Sequence, residues 1–448
     1  MNDLQSATPR ASLSVVDGAM MMVGIIIGIG IFKTPQLVAL FVPNEWAFIG
    51  VWAAGGVVTL IGALVYAELA AAYPSTGGEY HFLTRALGQP VGFMFAWART
   101  TVIQTGAIAA VAFVLGDYAQ QLYSLGTHGS AIYAAATLAI LTGVNLAGTY
   151  ESKTVQNVLT FFEVSALLAI CIVGFFLAGG AASPTPAAAG GGAGGVGTLG
   201  LAMVFILLTY GGWNECAYLS ADLRDVRRDM IRILLIGTAV VTTLYVLINL
   251  AYLYVLGLEG LRKSDAVAAD VMRLGLGPSG AVVVSLIVCC AALSTINASI
   301  FTGARLYHAL GQDMSLSRLR VWDSVGNNPR NAILLQSLIA LALVGFGATA
   351  RDGFKAMVEY TAPVFWFFLL LVGVSFFVLR MRDPDRERPF RVPFYPITPI
   401  LFCLTCAYLL YSSLAYTGMG ALVGVAVLAA GLPFLAPARK RQPAVAPE

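Results

Sequence analysis

The feature that most constrains this chain is a succession of apolar runs, each long enough to cross a hydrocarbon core about 30 Å thick as a single helix. They fall at about 14–40, 46–73, 89–123, 130–149, 156–179, 199–222, 231–257, 279–310, 331–349, 354–380, 396–416 and 418–436. Of the 448 residues, 58% are apolar and only 11% are charged, against about 25% charged in a soluble domain. A water-soluble globule and a disordered chain are both excluded. The expectation is an all-α membrane protein with twelve transmembrane helices, and a weaker amphipathic helix in 259–277 around Asp265, Asp270 and Arg273.

Charge placement orients the spans. Cytoplasmic loops are enriched in Lys and Arg. With the N-terminus inside, 19 of the 26 basic residues fall on the inner side and 5 on the outer, Lys33 and Arg99 lying within spans. Both termini are therefore expected in the cytoplasm. The six cysteines all sit in apolar runs, which argues against a disulfide framework, and Cys403-x-x-Cys406 reads as packing. His81, His128 and His308 stand in separate loops and offer no metal cluster. Residues 1–13 form a polar tail without a signal-peptide core. No cofactor motif occurs: the glycines of 180–198 lack the GK[ST] of a phosphate loop. That uncharged segment divides the chain into five spans over 14–179 and five over 199–380. A basic loop at 381–395, two further helices within 396–436 and a cytoplasmic tail at 437–448 complete it.

Two spans carry glycines where a helix should be continuous. The first contains Gly24, Gly28 and Gly30, followed by Lys33 and Pro35; the sixth contains Tyr210-Gly211-Gly212-Trp213-Asn214-Glu215. Each glycine costs up to about 1 kcal/mol of helix propensity, and unwound backbone is tolerated at membrane depth only inside protein or beside a cavity. Gly24 and Gly28 also form a GxxxG, a common packing device. Interruptions in matching positions of two halves instead point to the binding site of a secondary transporter. Half-helix N-termini attract a carboxylate and freed carbonyls an ammonium, a combination that suits a zwitterion such as an amino acid.

At these residues the sequence resembles the amino acid–polyamine–organocation superfamily, and within it the L-type amino acid transporter branch. Gly28-Ile29-Gly30-Ile31-Phe32 resembles that branch's GSGIF, Tyr210 to Asn214 match its YGGWN, Pro74 to Tyr80 resemble its P-x-x-G-G-x-Y loop, and Asn297 to Thr302 with Arg305 resemble its helix-eight signature. The resemblance implies a LeuT-like fold of two inverted five-helix repeats plus two C-terminal helices, with helices one and six discontinuous, working by alternating access. It implies that the substrate carboxylate meets amides around Gly28, Ile29 and Gly30, that the ammonium meets carbonyls near Ile26, Leu208 and Gly211, and that Asn214 walls the side-chain pocket. Ile29 stands where the branch has Ser, and Leu208 where it often has an aromatic gate. The loop from Ser124 to Ser130 has no cysteine, so the disulfide-linked glycoprotein subunit of some animal relatives is not expected.

Charged residues within spans are functional hypotheses by default. Glu163 occupies the position of a lysine in the branch and, with Ser294 and Thr295, is the candidate for coupling transport to a proton or cation; a structural ion pair, for instance with Arg99, is the other reading. Glu215 faces either the substrate or a cytoplasmic gate. Glu68 and Lys33, near helix ends, read as structural, Lys33 by snorkelling along its stem. The leading function is plasma-membrane transport of amino acids, driven by an ion gradient or by exchange, with no enzyme activity and no nucleic-acid partner expected. Polyamine or organic-cation transport on the same fold, an ion channel and a transporter-like amino-acid sensor stay open.

Overall fold

A computed structural model describes residues 15–73, 78–147, 153–179, 196–216, 226–313, 329–415 and 418–435. The side chains of Glu163, Glu215 and Arg305 lie outside the described set, as does most of the 180–198 segment. Among the described residues every element is helical, with no strand.

The first span is two helices, α1 (Val15–Ile26) and α2 (Gly30–Phe41). There follow α3 (Glu45–Ala72), α4 (Gly78–Leu87), α5 (Gln89–Ala98), a π-helical turn over Arg99–Ile103, α6 (Gln104–Leu122), α7 (Gly129–Leu146) and α8 (Lys153–Phe176). The sixth span is again broken, into α9 (Val196–Thr209) and α10 (Trp213–Cys216). The remainder is α11 (Val226–Lys263), α12 (Val267–Asp313), α13 (Arg330–Gly347), α14 (Gly353–Arg382), α15 (Ile397–Ala415) and α16 (Met419–Ala429). Eight described helices are long and apolar enough to cross a membrane singly; the halves of the broken spans are too short to count.

Three departures from the sequence reading have physical reasons. The loop after α3 folds into α4, an amphipathic helix whose Phe82, Leu83 and Ala86 are buried. His81 thus lies on a helix, as does His308 on α12. The amphipathic element expected in 259–277 exists, but as the start of α12, turned from the apolar remainder by a kink at Gly277 with φ of 70°, a conformation open mainly to glycine. The π turn in the third span has no counterpart in the sequence reading. Its extra residue frees main-chain carbonyls, and two buried tyrosines take them up: the Tyr307 hydroxyl donates to Thr100 O and the Tyr360 hydroxyl to Thr101 O at 2.9 Å.

One end of the bundle is held by arginines. Glu68 on α3 accepts both arms of Arg380 on α14 at 2.7 Å, lies 3.4 Å from Arg388, and accepts the Val392 amide at 2.6 Å. Beside it the Tyr73 hydroxyl donates to Asp383 Oδ2 at 2.9 Å, with Arg85 3.2 Å from the same oxygen. The Tyr73 hydrogen bond, aided by Arg85, holds the Asp383 carboxyl below the usual carboxylate range. A carboxylate with a depressed folded-state pKa stabilises above its unfolded value, near 4, and loses that contribution as pH falls through the folded value. In an acid titration of the thermal midpoint, Asp383→Asn is expected to lie slightly below wild type at neutral pH and to converge with it below about pH 4. Parallel curves across that range would exclude the charge effect.

Candidate functional site

The two breaks lie side by side. A Cβ built on Gly30 would sit 3.2 Å from Thr209 Cγ2 and Oγ1, so the start of α2 touches the end of α9 at a distance only glycine allows without displacement. The Thr34 and Thr209 hydroxyls are 2.7 Å apart. Gly212 takes a φ of 97° in the second break, a backbone region that disfavours any side chain.

Within the first break, Ile27 still donates to Val23 O, and α2 then starts afresh with Ile29 in the N-cap position and no side chain capping it. An uncapped helix start presents main-chain N–H groups and the positive end of the helix dipole. A Cβ on Gly28 would meet nothing within 4 Å, so open space adjoins these amides, while Ile29 turns inward and is buried. Across the gap, Leu208 is partly exposed between the buried Leu207 and Thr209; its carbonyl accepts the Gly211 amide at 3.2 Å.

A residue that sequence reasoning missed ties the breaks together. The hydroxyl of Tyr245 on α11 lies 3.1 Å from Ile26 O and 3.3 Å from Thr209 O, the last carbonyl of one half-helix on each side. Tyr245 is fully buried, its ring set edge-on to Tyr210 at 4.9 Å and to Trp52 at 6.0 Å. Nothing in a tyrosine within an apolar run marks it in advance. Tyr245→Phe keeps the aromatic packing and removes this link. It is expected to lower stability by about 1 kcal/mol and transport several-fold; unchanged uptake kinetics would show that the link has no role.

Asn214 on α10 donates to Glu79 Oε1 on α4 at 2.8 Å, and Arg99, at the start of the π turn, stands 3.7 Å from Glu79 Oε2. Arg99 thus neutralises the Glu79 carboxylate; the side chain of Glu163, the partner that the sequence offered for it, lies outside the described residues. Glu79, supplied by the helix that sequence reading took for a loop, is 5% exposed, so this polar cluster joins α4, α10 and the third span below the breaks. Of the coupling candidates, Thr295 turns its hydroxyl onto Ala291 O, one turn back on its own helix. Ser294 lies on the same helix, partly exposed, and the Glu163 side chain is outside the described residues.

At the opposite end from the arginines, Lys33 does not snorkel. It is 2% exposed, and its ammonium lies 2.9 Å from Asp117 Oδ2 and 3.2 Å from Asp352 Oδ2. Burial of a charge demands this company; a stem led out to solvent would have left both carboxylates unpaired. Above them opens a polar vestibule of about 420 Å³.

These features agree with what the chain is similar to. The family described as amino acid permease matches residues 13–430. The b(0,+)-type amino acid transporter 1 of Mus musculus is 29% identical over 90% of this chain and 83% of its own length. The human protein of that name is 28% identical over 91% and 84%. The large neutral amino acids transporter small subunit 2 of Homo sapiens is 28% identical over 95% of this chain and 79% of its own length. The chain belongs to the amino acid permease family of the amino acid–polyamine–organocation superfamily, a family of membrane transporters and not of enzymes.

Proposed function

We propose that this chain carries amino acids across the plasma membrane by alternating access, gripping each substrate between its two helix breaks. The observation that carries this reading is the juxtaposition of an uncapped helix start at Ile29–Gly30 with partly exposed Leu208 and the open space at Gly28. The amides of Gly28, Ile29 and Gly30 take the substrate carboxylate. Its ammonium meets carbonyls of Ile26, Leu208 and Gly211, with Tyr245 setting the spacing of the two edges. Leu208 in place of an aromatic gate favours aliphatic over large aromatic side chains. Asn214, held by Glu79, walls the side-chain pocket.

The architecture that suits this cycle is twelve spans in two inverted five-helix repeats, 14–179 and 199–380, joined by the outer segment 180–198. The basic loop 381–395 and helices within 396–436 are appended, and the tails 1–13 and 437–448 face the cytoplasm. The bias of basic residues supports that orientation. Glu163, with Ser294 and Thr295, is the place for a co-transported proton or cation. A disulfide-linked glycoprotein subunit is not required, because the Ser124–Ser130 loop supplies no cysteine.

The test is counterflow of a labelled amino-acid panel in proteoliposomes, at two pH values and with and without sodium. Exchange of at least one aliphatic amino acid is expected. Movement of polyamines alone would transfer the reading to organic cations, and no movement of any of these solutes would defeat it.

A further inference from the structure

The Lys33 cluster is more than a buried ion pair, because its parts are held separately. Lys33 Nζ has three hydrogens and three oxygens around it from three different segments. They are Asp117 Oδ2 on α6 at 2.9 Å, Asp352 Oδ2 ahead of α14 at 3.2 Å, and Asp265 O ahead of α12 at 3.4 Å. Each carboxylate spends its other oxygen elsewhere. Asp117 Oδ1 accepts the Ser130 hydroxyl at 2.5 Å, and Asp352 Oδ1 accepts the Lys355 amide at 2.9 Å as the N-cap of α14. The carboxylates are thus positioned without the lysine. Lys33 reaches them from the protein side, its side chain 3% exposed, whereas the carboxylates are 17% and 20% exposed and line the vestibule of about 420 Å³.

We propose that Asp117, Asp352 and the carbonyl of Asp265 form a binding site for primary ammonium groups, which Lys33 occupies as a tethered ligand in this conformation and which a free alkylammonium takes when Lys33 is absent or withdrawn. The ligand class follows from the acceptor set: two carboxylates and a carbonyl fit three N–H donors on one nitrogen and give no such match to a quaternary amine. Lys33 lies three residues past Gly30, on the half-helix that starts at the break. A shift of α2 therefore withdraws the tethered ammonium and offers its place to the ammonium of a solute in the vestibule. This last step rests on the transport reading; the site itself does not.

Chemical rescue tests the site without transport. Lys33→Ala removes the three outer carbons and the ammonium, which together make propylammonium; Lys33→Met removes little more than the ammonium, leaving room for ammonium or methylammonium. Purified Lys33→Ala is expected to unfold several degrees below wild type and to regain most of that loss with propylammonium chloride. Lys33→Met is expected to respond best to the smaller ions. Wild type should respond to neither, and tetramethylammonium at equal ionic strength should rescue nothing. Adding Asp117→Asn to Lys33→Ala should abolish the rescue. Equal responses in wild type and variants, or rescue by tetramethylammonium, would overturn the proposal. So would failure of both variants to fold with and without amine, since the carboxylates are held in place by Ser130 and the Lys355 amide. Absence of amino-acid counterflow with intact rescue would strike the transport reading alone; counterflow without rescue would strike this site alone.

Discussion

Glu68→Ala is expected to cost the fold about 3–5 kcal/mol, the range for removing one partner of a buried ion pair. Glu68 is 1% exposed, and its loss takes the carboxylate from Arg380 and the acceptor from the Val392 amide, while Arg388 keeps main-chain acceptors at Arg386 and Asp383. A buried guanidinium without its carboxylate and a buried N–H without an acceptor each carry a desolvation cost that no rearrangement of an apolar neighbour relieves. The effect should appear as a large drop in the detergent unfolding midpoint. Arg380→Lys gives a graded control: it keeps the charge but loses the paired geometry, with 2.7 Å contacts to both oxygens, and should fall between wild type and Glu68→Ala. A midpoint unchanged in Glu68→Ala would mean that water reaches this end of the bundle and screens it.

Gly28→Leu is expected to leave folding nearly intact and to reduce transport on the order of 100-fold, the equivalent of about 3 kcal/mol of lost substrate contact. Gly28 does not adopt a left-handed φ, and its missing side chain would point into open space. The backbone therefore tolerates substitution, and the added bulk fills the gap assigned to the substrate. Gly30→Leu makes the contrast, because its Cβ would press on Thr209 at 3.2 Å and prise α2 from α9, so it should damage stability as well as uptake. Proteoliposome uptake and thermal unfolding measured on both variants separate these outcomes. If Gly28→Leu transports like wild type, substrate does not pass beside the first break.

The helical, membrane-spanning character of the chain and both breaks were legible because their causes are local. Apolar runs of membrane length and clustered glycines act through the residue's own backbone and solvation. Partnerships were not legible where they depend on distant chain. Lys33 near a helix end looks ready to snorkel until Asp117 and Asp352 arrive from far along the sequence. Tyr245 resembles any buried aromatic until two freed carbonyls face its hydroxyl. Glu79 follows a Gly-Gly pair that reads as a turn, yet α4 packs its apolar face on the bundle and carries that carboxylate to Asn214. The amphipathic start of α12 was legible from Asp270 and Arg273, which pair at 2.6 Å.

The π turn at Arg99–Ile103 also fixes the rotational phase of the third span. At 3.6 residues per turn, one supernumerary residue advances a helix by about 100°. The α5 half and Arg99 are therefore aimed a quarter-turn or so away from the bearing that an uninterrupted coil would give them. Deleting a single residue from this stretch would let the coil close up neatly, strand the hydroxyls of Tyr307 and Tyr360, and swing Arg99 off Glu79. At this place a shorter, more regular helix would point its arginine in the wrong direction.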